Sequence, residues 1–323
     1  MTQQLDLKGL QKLLWNFAGQ RTVTTAAKCG ILSRLTQSPA TIDTIAKDLT
    51  LDQKACDKIV RALVALGVAK TDDGVFRLVP DLEPLFDDGP DDLAPFLEHS
   101  HRMYENWGEN LETWLRTGDW PTREKKPDDV LKFARAMRGV GVRTASAVID
   151  SLDLADVHSM LDIGGSLGHW AEIVCKRYPG IKATVFDIPN TAAAGRELYR
   201  GTDLEHRIEF VGGDYLSDDL GRNFDFVLIA SVLHQELAEQ ASELIRRAAE
   251  TLAPGGRLCV VDFQIDEDRC GPELGTLFAI HMRDFGDTWT EADIRSWMTS
   301  AGLDFIERSD VGPSRWIITG RRP

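Results

Sequence analysis

The chain has 323 residues, of which 43% are hydrophobic and 27% charged, with a formal net charge of −14. That length provides for two domains, and the negative balance opposes non-specific attraction to nucleic acid or anionic lipid. The five cysteines, Cys29, Cys56, Cys175, Cys259 and Cys270, form no C-x-x-C pair, the N-terminus lacks the pattern of a signal peptide, and no apolar run approaches the roughly 20 residues of a membrane span, so a cytoplasmic protein without metal or membrane partner is expected.

Residues 1–85 read as a winged-helix-like module. Leu7, Leu10, Leu14 and Phe17 recur at helical spacing. Thr41 is placed to cap a helix over 42–49. Asp52 is placed to cap a second, with the stripe Cys56, Ile59, Val60, Leu63 and Leu66 and a stop at Gly67. The runs "VAK" and "VFRLV" then form a hairpin through "TDDG". A DNA-reading helix wants cationic side chains, but Lys54, Lys58 and Arg61 are offset here by Asp52 and Asp57, and the wing carries Asp72 and Asp73. Subunit contact is therefore preferred for this module, with no nucleic acid partner.

Residues 86–155 read as a helical connector. It contains "FLEHSHRMYENWGENLETWLRTG" and "VLKFARAMRGVGVRTASAVIDSL", joined by the loop "DWPTREKKPDD". The density of His99, His101, Met103, Tyr104 and Trp107 suits plain core or the lid of a pocket for a flat aromatic ligand.

Residues 156–323 alternate between strand and helix. The strands "SMLDI", "IKATVFDI", "RIEFVGGD", "FDFVLIA" and "RLCVVDF" with intervening helices predict an α/β, doubly wound, mostly parallel, Rossmann-like sheet. "LDFIE" and "SRWIITG" follow. The link "RSDVGP" between them is too short for a crossover helix, so the last strand is antiparallel or the two are not neighbours.

The stretch "MLDIGGSLGHW" carries the site. A dinucleotide G-x-G-x-x-G does not fit, because its positions fall on Ser166 and His169, and no P-loop lysine is present. What remains is a turn of Gly164 and Gly165 that leads into the positive end of a helix, preceded by Asp162. A carboxylate there repels phosphate and holds ammonium, which suits an amino-acid ligand. Asp187, followed by Ile188, ends the second strand where such folds put an acid on ribose hydroxyls. Asp214 and Tyr215 follow the third strand on the same edge, where an adenine would sit. Amino acid, ribose and adenine together describe S-adenosylmethionine.

At this point the chain resembles the two-domain small-molecule O-methyltransferases: the plant phenylpropanoid and acetylserotonin-type enzymes and bacterial enzymes acting on polyketides, carotenoids and bacteriochlorophylls. The likeness spans nearly the whole chain. It rests on "LDIGGSLGHWAEIVCKRYPGIKATVFDIPN", "GGDYLSDDL", "FDFVLIASVLHQ", "LAPGGRLCVVDF" and "TWTEADIRSWMTSAGL", in that order. The resemblance implies S-adenosylmethionine at Asp162, Gly164, Gly165, Asp187, Ile188, Asp214 and Tyr215, with Phe133 and Met137 near the methyl. It implies a homodimer through the N-terminal domain, with the helix around Trp15 reaching the partner's site. Trp107, Met137, His281, Met282 and Trp289 are candidate pocket residues.

Methyl transfer from a sulfonium needs an acceptor lone pair aligned opposite the leaving sulfur. Complete ionisation of a phenol of pKa about 10 by an ordinary histidine of about 6.5 is uphill by roughly 5 kcal/mol, so proton removal accompanies attack. His234, in "SVLHQEL" just past the fourth strand, stands where the family has its general base. Asp262, ending "LCVVD", stands where a family acid would orient the imidazole. Three departures stand out: Gln235 where the family often has Asp, Thr288 beside Asp287 where a second acid is usual, and Ser166 where many members have Gly. They leave open a relative that has lost methylation for decarboxylase- or hydroxylase-like chemistry. A winged-helix regulator that binds S-adenosylmethionine is the other reading. The sequence names no acceptor and leaves O-, N- and C-methylation undecided.

Overall fold

The computed structural model describes residues 5–86, 89–121, 127–283, 285–311 and 314–323. The chain divides into two compact units, residues 1–140 and 141–323. Residues 122–126 of the expected loop "DWPTREKKPDD", and Gly312 and Pro313 of "RSDVGP", lie outside the described set.

The first unit opens with α1 (Leu7–Lys28), α2 (Ile31–Gln37) and the short β1 (Ala40–Thr41). Then come α3 (Ile42–Asp48), α4 (Gln53–Ala65) and the hairpin β2 (Ala69–Asp72) and β3 (Val75–Leu78), with β1 added antiparallel to β3. Both helices start where short polar side chains satisfy free amides. Thr41 Oγ1 accepts from the Thr44 amide at 3.3 Å and Asp52 Oδ1 from the Ala55 amide at 2.8 Å. Gly67 follows α4 at φ +75°, a conformation without penalty only for glycine. On α4, Cys56, Val60 and Leu63 are buried with Leu32, Ile45, Phe76 and Leu78 in one core. Leu66 is not; it lies at the helix end and is exposed, so the expected stripe stops one turn earlier.

The stripe of α1 differs more. The helix forms, but Leu7, Leu10, Leu13, Leu14, Trp15 and Phe17 are all exposed, Trp15 at 72%. These apolar side chains crowd the N-terminal half of the helix on more than one side, and this chain alone does not cover them. On α4, Arg61 is spent on an ion pair with Asp57 at 2.8 Å, which removes one of the cations a groove-reading helix would need. Two long helices, α5 (Ala94–Thr117) and α6 (Pro127–Ser151), follow.

The second unit is built on a seven-stranded sheet of β4 (Ser159–Ile163), β5 (Lys182–Asp187), β6 (Ile208–Gly212), β7 (Phe224–Ala230), β8 (Leu252–Phe263), β9 (Asp304–Val311) and β10 (Arg315–Arg321). Its order is β6-β5-β4-β7-β8-β10-β9, parallel except that β10 runs antiparallel to both of its neighbours. The helices are α7 (His169–Arg177), α8 (Pro189–Tyr199), α9 (Ala238–Thr251), α10 (Glu273–Met282) and α11 (Glu291–Ser300). The inner strands read as continuous apolar runs because both sheet faces are covered. Along β7, Phe226, Leu228 and Ala230 pack into the cluster with Trp170, Val174 and Phe210. Val227 and Ile229 pack into the opposite cluster with Leu244, Ile245 and Ile318. Burying each of the larger side chains, Phe226, Leu228, Val227 and Ile229, contributes about 1.5–3 kcal/mol. The edge strand β9 instead shows Glu307, Arg308 and Asp310 to solvent, which discourages pairing with another chain.

This topology fixes where chemistry happens. The register pairs Ile163 with Phe186, Asp187 with Gly212 and Ala230 with Val261, so the carboxyl ends of β4 to β8 form one rim. Open α/β sheets bind ligands there.

Candidate active site

The turn after β4 is close-packed. Gly164 has φ +68°, and a Cβ there would stand 2.6 Å from Val232. A Cβ on Gly165 would stand 2.5 Å from the Asp162 carboxyl and 2.9 Å from Val185. Ser166 also takes a left-handed conformation, φ +54°, and its amide donates to Oδ2 of Asp187 at 2.9 Å. The second oxygen of Asp187 accepts from the Ile188 amide at 2.8 Å. Burial raises the Asp187 carboxyl, and these amides pull it back. The Gly-turn and the ribose-type acid are thus one bonded unit.

Asp162 is sealed beneath that turn. Its side chain is fully buried, and neither carboxylate oxygen makes a well-formed hydrogen bond. Burial, helped by the charge of Asp187 and opposed by the Ala171 amide, pushes its pKa up to about 8. An unpartnered buried carboxylate is costly, and a nearby ammonium relieves the cost. Gly165, having no Cβ, lets the backbone of the turn lie directly over the Asp162 carboxyl.

Farther along the rim, Asp214 Oδ1 accepts from the Leu216 amide at 2.9 Å, shaping the loop after β6. Tyr215 is half-buried, and its hydroxyl donates to Oε1 of Glu236. Burial and that neighbour raise the phenol, while burial raises Glu236.

Opposite stands His234, in a 3-10 turn over Leu233–Gln235. Its Nδ1 donates to Oδ1 of Asp262 at 2.7 Å, its amide lies 3.2 Å from Oδ2, and the Phe263 amide donates to Oδ1 at 2.8 Å. Burial raises the Asp262 carboxyl, but the His234 ring, the Arg315 cation and the Phe263 amide outweigh it and hold the group below the usual carboxylate range. With Nδ1 occupied, Nε2 is the nitrogen available to an acceptor. The imidazole meets Phe263 and Phe278 edge-on, at centroid distances of 5.3 and 4.9 Å, and these two rings stack at 3.9 Å.

The turn that carries His234 is held from three directions. Gln235 Nε2 donates to the Ser231 carbonyl at 3.1 Å, and Trp289 Nε1 donates to the Leu233 carbonyl at 2.9 Å. Gly286 packs so closely that a Cβ there would lie 2.0 Å from the His234 carbonyl oxygen. Gln235, where the resemblance led one to look for an acid, is thus a tether. Thr288 is buried with its hydroxyl donating to the Gly275 carbonyl at 3.3 Å, and Asp287 is paired with Arg269 at 2.9 Å. Among the described residues, no group of three or more His, Cys, Asp or Glu side chains is arranged to hold a metal ion.

A family model for the O-methyltransferase domain matches residues 106–304, more than half of the chain. The chain belongs to the O-methyltransferase family. Over 340 residues it is 25% identical to the tetracenomycin polyketide synthesis 8-O-methyltransferase of Streptomyces glaucescens, covering 100% of both chains. It is 26% identical over 329 residues to human acetylserotonin O-methyltransferase, covering 95% of each. The crystal structure of human N-acetylserotonin methyltransferase in complex with S-adenosylmethionine superposes with a TM-score of 0.84 at 23% identity, covering 100% of this chain and 99% of that one. The fold is that of an O-methyltransferase, including the antiparallel last strand pair.

Of the site residues expected from sequence, the second unit brings Asp162, Gly164, Gly165, Asp187, Ile188, Asp214, Tyr215, His234 and Asp262 to one rim. Ile188 is exposed there. His281 and Met282 end α10, with His281 5.4 Å from Phe278 by ring centroids. Trp289 serves the His234 turn and also meets Trp297 at 5.1 Å. Trp107, Phe133 and Met137 belong to the first unit, where Phe133 lies edge-on to His99 at 5.4 Å.

Sequence reasoning missed Phe263, Phe278, Glu236 and Arg315 in this O-methyltransferase. Phe278 lies three residues before His281 and so on the same helical face, a signal that was available. Phe263 is adjacent to Asp262. Arg315 is brought in by the pairing of β10 with β8, which no local pattern announces.

Proposed function

We propose that this O-methyltransferase transfers the methyl of S-adenosylmethionine to a hydroxyl of an aromatic or conjugated small molecule, with His234 as general base and Asp262 as its orienting acid. The observation that carries the reading is the buried His234 Nδ1–Asp262 Oδ1 hydrogen bond of 2.7 Å on the same rim as the Gly164–Gly165 turn. S-adenosylmethionine supplies an electrophilic methyl on a sulfonium.

The residues fit such a group. The Gly164–Gly165 turn admits its backbone-like amino-acid end, and the orphaned Asp162 carboxylate favours an ammonium. Asp187 has lone pairs for ribose hydroxyls beyond those used by the Ser166 and Ile188 amides. Ile188, Asp214 and Tyr215 suit an adenine, by apolar cover and by polar contact. His234 Nε2 accepts the acceptor's proton as the oxygen attacks. Asp262 keeps the other ring proton on Nδ1 and stabilises the imidazolium that forms. Phe263 and Phe278 exclude water from one side of the ring. Trp107, Phe133, Met137, His281, Met282 and Trp289 are carried as acceptor and methyl-side residues on the resemblance.

A homodimer through the N-terminal residues 1–85 is part of the proposal. The apolar face of α1 supports it, since Leu7, Leu14, Trp15 and Phe17 are each more than 60% exposed in a single chain. The cysteines are all free, which fits a reducing, cytoplasmic compartment, and no helix among the described residues is long and apolar enough to cross a membrane.

The test of the activity is a labelled-methyl assay against phenols, naphthols, carotenoid alcohols and tetrapyrroles. Label in an O-methyl ether is expected. Label on nitrogen or carbon alone, or none with any acceptor while the cofactor binds, would overturn the assignment.

A further inference from the structure

A partly buried arginine lies over Phe263, the neighbour of Asp262. Arg315 opens β10, in antiparallel register with Phe263. Its guanidinium covers the Phe263 ring, with Cζ 4.2 Å from the centroid, and Nη1 donates to Oγ of Ser231 at 2.8 Å. Ser231 is held in a left-handed conformation, φ +58°, at the end of β7. Its amide donates to the Val261 carbonyl at 2.8 Å, and its carbonyl receives Gln235 Nε2. One cation therefore grips the residue that launches the His234 turn and lies on the residue next to Asp262. A column of Arg315, Phe263 and Phe278 stands beside the imidazole.

A guanidinium drawn partly out of water is stable where an anion or strong acceptors answer it. Burial lowers Arg315 from its ordinary value, and the charge of Asp262 raises it. The same attraction acts in reverse on Asp262.

We propose that Arg315 is a positioning residue of the proton-transfer unit: gripping Ser231 and lying over the Phe263 ring, it fixes the His234 turn and sets a positive charge near Asp262, so that the imidazole proton stays on Nδ1 and Nε2 is aimed at the acceptor. This rests on the reading of His234 as the base. Arg315 touches neither donor nor acceptor in this role; it acts through Ser231 and Asp262.

The sign of its effect is fixed. A cation beside the pair disfavours protonation, so removing it makes the His234–Asp262 pair take up a proton more readily. The other charged or titratable groups on the elements around the pair are Glu236, bonded to Tyr215; Glu239, Glu243, Arg246, Arg247 and Glu250 on α9; Glu273 and His281 on α10, with Arg283 just after it; and Asp287, paired with Arg269. All of them remain in Arg315 variants and form a common background.

The experiment is long-range ¹H–¹⁵N spectroscopy of the histidine rings in the full chain with S-adenosylhomocysteine bound. His234 is assigned by the resonance missing from His234→Gln. In Arg315→Met the midpoint of the pair is expected to move up by about 0.5–1.5 pH units, and the acid limb of kcat with it, while Arg315→Lys stays within about 0.3 of the parent. Arg315→Gln, neutral but able to donate to Ser231, takes the place of Arg315→Met if that variant does not fold. A midpoint unmoved in the neutral variants, or moved as far in Arg315→Lys, would overturn the proposal. If His234→Gln itself retains methyl transfer, the base assignment fails instead. If it loses transfer while the midpoint stays put in the neutral variants, only the role of Arg315 fails.

Discussion

Nδ1 of His234 and Oδ1 of Asp262 are 2.7 Å apart, and both side chains are only 7% exposed. The pair spans the ends of two neighbouring parallel strands, since Ala230 of β7 and Val261 of β8 are in register just below it. The sheet therefore sets the separation of the two residues, and the tethered 3-10 turn sets the position and direction of the His234 side chain.

Asp262→Asn keeps the shape and removes the charge. The amide can present its NH2 to Nδ1, which favours the tautomer with the proton on Nε2 and so blocks the base. The expected outcome is a fall in kcat of at least about 100-fold with the donor KM within a few-fold. Steady-state kinetics check this, and a loss confined to KM would speak against an orienting role.

Asp162 makes the folded protein pH-sensitive. Its pKa is raised to about 8 in the fold, against an ordinary 3.8. Between these values the unfolded chain is ionised and the folded chain holds a proton, so stability falls as pH rises, by at most about 1.4 kcal/mol per pH unit. Above about 8 both states are ionised and the contribution levels off. Asp162→Asn removes this titration. In thermal melts without cofactor, the variant is expected to gain on the parent from pH 5 to 8 and to hold that gain at pH 9. It is also expected to bind S-adenosylmethionine more weakly. A melting difference independent of pH would remove Asp162 as the titrating group.

Gly286 tests the packing behind the base. A Cβ there meets the His234 carbonyl oxygen at 2.0 Å, which forces the backbone of the turn to move. Gly286→Ala is expected to cost about 1–3 kcal/mol of stability and to lower kcat more than about 10-fold. Calorimetry with S-adenosylhomocysteine is expected to give an unchanged affinity, because the Gly164–Gly165 turn and Asp187 are elsewhere on the rim.

The α1 face bears on assembly. Leu14→Glu with Trp15→Glu places two charges among the exposed apolar side chains of α1. Light scattering of the parent is expected to report a dimer and that of the double variant a monomer, with the second unit still folded by S-adenosylhomocysteine binding. A parent that is monomeric at micromolar concentration would dismiss the α1 interface.

The rim is legible in the sequence because strand ends are local. "VFDIPN", "VGGDY" and "VVDF" each put an acid where an apolar run stops, and buried parallel strands write such runs plainly. Other features depend on long-range pairing or on side-chain direction. Arg315 reaches Ser231 and the Phe263 ring because β10 inserts between β8 and β9, with an antiparallel register that no local pattern sets. That Asp162 lies sealed under the turn depends on the missing Cβ of Gly165, and spacing alone does not say which way the carboxylate points. The exposure of the α1 stripe is likewise invisible to periodicity, which registers an apolar face whatever covers it.

The central claim is that a methyl donor held on this rim is paired with an imidazole base. The most direct test is transfer of labelled methyl from S-adenosylmethionine by the parent and by His234→Gln, with cofactor affinity measured on the same samples by calorimetry. The expected result is affinity within a few-fold and transfer reduced at least about 100-fold. Transfer at the parent rate in the variant would contradict the claim, as would a parent with no measurable affinity for the donor or its demethylated product.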